Sequence, residues 1–145
     1  MEGEEVRLFQ KLLQEAKIHR QRIDEALGCL KEDPANIPCS DQVIYRFSKL
    51  QDTMGRKLFR ALMDAVGDWN TTTTMIDILN WLDKQGLIEP EAWRKLRDVR
   101  NEIAHNYDDD PETTRAILDD IAEALPAMDA MMKKLEAFAG QKGLL

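Results

Sequence analysis

The sequence has few residues of the kinds that bind zinc or form cross-links: 145 residues include only two cysteines and two histidines. No Cys/His spacing around Cys29 and Cys39 resembles a zinc site, so neither a metal nor another cofactor is expected. The start Met1-Glu2-Gly3-Glu4-Glu5 lacks the basic and apolar regions of a signal peptide. We therefore expect a reducing cytoplasm as the location and free thiols as the state of both cysteines.

Long hydrophobic runs and excess positive charge are also absent. With 43% hydrophobic and 32% charged residues, the chain is too polar for contact with a membrane interior and long enough for one soluble domain, residues 1–145. Its 20 Lys and Arg residues stand against 27 Asp and Glu residues, a formal net charge of -7. Because affinity for nucleic acid in general depends on many basic contacts to phosphate, any contact with RNA must be local.

No segment shows the pattern of a β-strand, and apolar residues recur at three- and four-residue intervals. This spacing predicts an all-α fold, a compact up-and-down bundle of about five helices. The expected boundaries are a loop over residues 31–38, Ser40 as the cap of the second helix, a break at residues 67–70, a threonine cap within residues 71–74, Gly86 as a stop, Pro90 as a start, Asp110 as the last cap, and a frayed tail at residues 140–145.

The segment Arg100-Asn101-Glu102-Ile103-Ala104-His105-Asn106-Tyr107 holds most of the candidate chemistry. Arginine can bind a phosphate through two hydrogen bonds, and histidine can give and take protons near neutral pH. This combination predicts phosphodiester cleavage without a metal.

Helical geometry places Arg100 within the apolar face of its helix, beside Trp93 and Ile103. A guanidinium in that position needs an anionic or polar partner, because unpaired burial of charge is costly. Asn101 lies four residues before His105 and can orient the imidazole.

Arg100 and His105 are five residues and about 140° apart on an ideal helix, so they do not share a face. Either the helix loosens near His105, or a second copy of the chain brings its own pair to the same cleft. The second solution fits a symmetric dimer, with two arginines and two histidines around one phosphate.

These residues resemble the signature of HEPN-domain proteins, in particular the HepT toxins encoded beside minimal nucleotidyltransferase antitoxins. Residues 41–51 and 91–97 also look like HepT-type sequences, so the similarity spans roughly residues 5 to 138. The resemblance implies a metal-independent endoribonuclease that acts as a homodimer. Arg100 would stabilise the scissile phosphate, His105 would act as general acid or base, and Asn101 would support the site. Tyr107 matches the tyrosine to which the nucleotidyltransferase transfers AMP, a modification that would repel RNA.

Two other functions fit the same residues. One is a non-catalytic module that presents a substrate to a nucleotidyltransferase, which suits the acidic surface and the run Asp108-Asp109-Asp110. The other is a dimeric scaffold in which the motif only pairs charges. Taken alone, Arg100 is most simply paired to a carboxylate, Tyr107 is a packing residue, and His19 is a solvated surface residue without a function.

Overall fold

The chain consists of consecutive helices in a computed structural model that describes residues 3–106 and 110–145. Within these ranges no β-strand occurs, which confirms the predicted all-α class. The elements are α1 (Glu4–Glu32), α2 (Ile37–Thr53), a π-helical turn (Met54–Leu58), α3 (Phe59–Ala65), α4 (Met75–Lys84), α5 (Pro90–Asn106) and α6 (Pro111–Gln141). Because α2, the π-helical turn and α3 follow one another directly and form one continuous rod, the described residues make five helical rods.

The start of α2 differs from the predicted cap at Ser40. The Asn36 side chain accepts a hydrogen bond from the Cys39 backbone N–H at 3.0 Å, and Pro38 occupies the first helical turn. Both residues favour a helix start, because an Asn cap satisfies a free N–H and proline has no N–H to satisfy. Ser40 consequently lies inside the helix and is buried.

The starts of α4 and α6 agree with the predicted caps. Thr74 accepts from the backbone of Asp77 at 3.1 Å, and Asp77 accepts from the backbone of Thr74 at 2.9 Å, which forms a reciprocal capping box. Asp110 accepts from the backbone of Thr113 at 3.2 Å. The helix ends are thus fixed by short polar side chains that the sequence identifies.

The expectation of free thiols is wrong. Cys29 and Cys39 form a disulfide with a Cα–Cα distance of 6.3 Å. The bond links the end of α1 to the first turn of α2, which a short loop brings side by side. Since disulfides are rare in reducing compartments, the cysteines no longer support a cytoplasmic location, which stays a prediction.

Within residues 3–106 and 110–145, no helix combines the length and the apolar character needed to cross a membrane.

The tail at residues 140–145 is packed instead of frayed. Leu144 is buried, and its carbonyl accepts a hydrogen bond from the Gln10 side chain at 2.8 Å. Gly143 adopts a positive φ of 74°, which lets the chain turn back at the end of α6 and buries Leu144. The sequence pattern missed this contact because it joins α1 to the last residues of the chain.

The close approach of α5 to the π-helical turn positions the candidate site. A Cβ atom on Gly55 would lie 2.8 Å from Cζ2 of the Trp93 indole, so only glycine fits at this distance. Trp93 is buried and packs edge-on against Phe59, with ring centroids 4.8 Å apart. This contact fixes α5 against the continuous rod formed by α2, the π-helical turn and α3. Arg100 lies two turns further along α5.

Candidate functional site

Arg100 forms an ion pair with Asp52 of α2. Its Nε donates to Oδ1 and its Nη2 donates to Oδ2, both at 3.2 Å. Asp52 is therefore the anionic partner that the helical position of Arg100 requires, although the sequence pattern did not identify it. The two side chains keep 25% and 31% of their surface exposed, so the pair is open to solvent on one side.

An open cleft of about 210 Å³ surrounds this pair. Its charged lining consists of three arginines and the Asp52 carboxylate, which leaves a positive excess in a chain of net charge -7. Such a cleft suits a phosphate-sized anion, because several guanidinium groups can share its oxygens. The lining residues are Gln51, Asp52, Gly55, Arg56, Met75, Leu79, Trp93, Arg97, Arg100 and Asn101.

His105 lies outside the lining of this cleft. It is exposed on α5, which remains α-helical as far as Asn106. Up to Asn106, therefore, the helix does not loosen near His105 as the first solution requires. With the helix intact, the five-residue separation directs Arg100 toward α2 and keeps His105 about 140° away. A single chain does not bring the two groups together.

Asn101 and Tyr107 complete the set of predicted site residues. Asn101 is exposed and lines the cleft beside Arg100. Within the part of the chain that the structure describes, its side chain forms no hydrogen bond with His105. Tyr107 lies outside the described residues, so its proposed modification stays a prediction.

His19 is a residue whose environment the sequence reading missed. Its Nδ1 lies 3.1 Å from Nη1 of Arg46 on α2, and the ring is partly buried. Since the arginine only donates, Nδ1 accepts and the imidazole is neutral. Burial lowers the pKa of His19, and the Arg46 charge lowers that pKa further. The spacing of His19 from buried Ala16 and Ile23 was the available signal.

Arg46 and Lys49 form a cationic patch on α2. The Nε atom of Arg46 is buried without a hydrogen-bond partner among the residues that the structure describes. Arg46 and Lys49 both lie near the ring of the exposed Tyr45, at 5.8 Å and 5.7 Å from its centroid. These contacts hold Arg46 in place across the α1–α2 packing.

Possible metal ligands do not gather in the described ranges: no group of three or more His, Cys, Asp or Glu side chains is placed to hold an ion. Comparisons of the chain with protein families, with curated proteins and with solved structures found no match. The family resemblance therefore rests on the motif residues and on the sequence segments quoted for it.

Proposed function

We propose that this chain is a HepT-like toxin, a metal-independent endoribonuclease that cleaves RNA in a homodimeric cleft. Its partner would be a minimal nucleotidyltransferase acting as antitoxin. The observation that carries the proposal is that Arg100 and His105 lie on different sides of α5. Arg100 faces a cleft rich in arginine, while His105 is exposed on another side of an unbroken helix. A second copy is the simplest source of the missing imidazole.

The arginine cleft would bind the scissile phosphate. Arg100 uses Nε and Nη2 for Asp52, and Nη1 has no bond to the residues that the structure describes. A phosphate would either bind at this free edge or displace Asp52. Arg56 and Arg97 would contribute further donors from the same cleft. Positioned cations of this kind stabilise the charge that develops on the phosphoryl oxygens during cleavage.

His105 would move the protons. One imidazole removes the proton from the ribose 2'-hydroxyl, and the 2'-oxygen attacks phosphorus. The bond from phosphorus to the 5'-oxygen breaks, and that oxygen takes a proton from the second, protonated imidazole. The products are a 2',3'-cyclic phosphate and a free 5'-hydroxyl. No metal or co-reactant enters this balance.

The test is cleavage of RNA in the presence of EDTA, with analysis of the product ends. We expect cyclic phosphate ends from the wild-type chain, and a loss of at least a hundredfold in Arg100→Ala and in His105→Ala with the helical fold intact. Arg94→Ala is the matched control, because Arg94 lies on the same helix and, among the described residues, pairs only with Glu91 on the surface. Equal activity in all four proteins would refute the assignment.

Modification of Tyr107 can be tested separately. Incubation with the cognate nucleotidyltransferase and ATP should add the mass of one or more AMP units, and Tyr107→Phe should gain none. An active nucleotidyltransferase that leaves the wild-type chain unmodified would remove this role.

A non-catalytic adaptor for a nucleotidyltransferase is the second candidate. The Arg100–Asp52 pair favours it, because a paired arginine is already satisfied without a ligand. This function predicts a stable complex with the nucleotidyltransferase and no RNA cleavage by either the dimer or the monomer.

A further inference from the structure

A second groove lies next to the Arg100 cleft, between α1 on one side and the π-helical turn with α3 on the other. It encloses about 350 Å³, and Arg56 lines both the groove and the cleft. The two concave surfaces are therefore neighbours on either side of this residue. The groove is lined by Leu8, Lys11, Leu12, Glu15, Arg56, Lys57, Arg60, Ala61 and Asp64.

The groove concentrates positive charge that the fold leaves unneutralised. Four basic side chains, those of Lys11, Arg56, Lys57 and Arg60, face two carboxylates, and all four are exposed. In the described ranges, none of the four lies within 4.0 Å of a carboxylate oxygen. Arg20, Arg22 and Arg94 elsewhere on the surface do form such pairs. The groove therefore offers exposed cationic groups that an external anion could contact.

One of the groove residues, Arg60, is also held in position. The Arg60 guanidinium carbon lies 3.9 Å from the centroid of the Trp69 ring, a cation–π contact that restricts the side chain. Arg56 and Arg60 are four residues apart along one helical rod, which spaces them by about 6 Å. Leu8, half exposed at 50%, adds an apolar contact at the wall of the groove.

We propose that this groove, defined by Lys11, Arg56, Lys57 and Arg60, binds the phosphates of the RNA strand next to the cleavage point. The inference rests on the proposed ribonuclease function, since it assigns the substrate contacts beside that site. The net charge of -7 makes a local basic track necessary for binding RNA. Because Arg56 lines both the cleft and the groove, a strand that leaves the cleft past Arg56 meets favourable charge.

The test measures binding of a fluorescein-labelled single-stranded oligoribonucleotide to the His105→Ala protein by anisotropy at several salt concentrations. The groove variant carries Lys11→Gln, Lys57→Gln and Arg60→Gln. The matched control carries Lys31→Gln, Lys133→Gln and Arg22→Gln, which remove the same charge elsewhere. A charge-keeping variant with Lys11→Arg, Lys57→Arg and Arg60→Lys shows whether any loss comes from charge. Circular dichroism and urea unfolding establish that each variant is folded.

We expect the groove variant to bind RNA at least tenfold more weakly. Its slope of log affinity against log salt should fall by about 2, because each lost phosphate contact to a single strand removes about 0.7. The control and the charge-keeping variant should stay within about threefold of the parent protein, an allowance for the long-range effect of net charge.

The outcomes separate this inference from the proposed function. Undiminished RNA affinity in the groove variant overturns the inference, whether or not the wild-type chain cleaves RNA. A groove variant that binds RNA normally but loses the nucleotidyltransferase also overturns it and assigns the groove to a protein partner. If RNA binds through the groove but the wild-type chain does not cleave it, the result supports the inference and contradicts the proposed function.

Discussion

Replacement of Gly55 by alanine tests whether the contact between the π-helical turn and Trp93 positions α5. The added methyl carbon would lie 2.8 Å from Cζ2 and 3.4 Å from Cη2 of the Trp93 indole. Trp93 is 3% exposed, and its ring also packs against Phe59, so the indole has little room to move. One of the two helices must therefore shift.

The magnitude follows from two opposing effects. Overpacking of a well-packed site costs about 1–3 kcal/mol, and the gain from replacing a helical glycine by alanine is about 1 kcal/mol. Gly55→Ala should therefore destabilise the fold by about 1 kcal/mol. Gly28→Ala is the matched control, because Gly28 is an exposed helical glycine with nothing within 4 Å of its Cβ position. It should stabilise the fold by about 0.5–1 kcal/mol.

Urea unfolding followed by circular dichroism compares the two variants. With a slope of about 2 kcal/mol per molar urea, the midpoints of Gly55→Ala and Gly28→Ala should differ by nearly 1 M. Because Gly55 and Trp93 line the Arg100 cleft, Gly55→Ala should also weaken binding of inorganic phosphate. If Gly55→Ala stabilised the fold as much as Gly28→Ala does, the tight contact would not exist.

Three other predictions concern stability. Reduction of the Cys29–Cys39 disulfide, or Cys29→Ser with Cys39→Ser, should lower the free energy of unfolding by about 3 kcal/mol, the loop-closure value for a short loop; an unchanged urea midpoint after reduction would contradict this. Because the pKa of His19 is lowered from 6.5, the unfolded chain binds the imidazole proton more tightly than the folded chain does. The contribution of His19 to the free energy of unfolding should therefore be fully present above pH 6.5 and be lost as the pH falls below it. His19→Gln should flatten this fall in urea midpoints between pH 7.5 and 5, and an equal fall in both proteins would refute the role of His19. Thr74→Ala should cost about 1 kcal/mol through the lost cap, whereas exposed Thr71→Ala should change the midpoint little; equal effects would contradict the capping box.

Local sequence signals predicted the helices well because their causes are local. Apolar spacing, a threonine cap within residues 71–74, the cap Asp110, and Pro90 at the start of α5 each act within about one turn. The disulfide and the packed Leu144 were missed because they join residues that only the folded chain brings together.

The candidate site divides in the same way. The need of Arg100 for an anionic partner followed from its place on the apolar face of α5. The identity of that partner, Asp52, depends on how α2 packs against α5 and on the close contact at Gly55. The shared role of Arg56 in two concave surfaces also depends on this packing. The contacts between helices therefore determine the partner of Arg100 and the lining of the cleft, which the motif alone does not predict.

Co-expression of an Arg100→Ala chain with a differently tagged His105→Ala chain tests the central claim most directly. The two chains are purified as a mixed dimer, and RNA cleavage is measured beside both parental homodimers and the wild type. If Arg100 of one copy acts with His105 of the other, the mixed dimer retains one intact pair but only one of the two imidazoles. It should therefore cleave RNA more slowly than the wild type and clearly faster than both parental homodimers, which have no intact pair. A mixed dimer as inactive as its parents, beside an active wild type, would contradict the shared cleft.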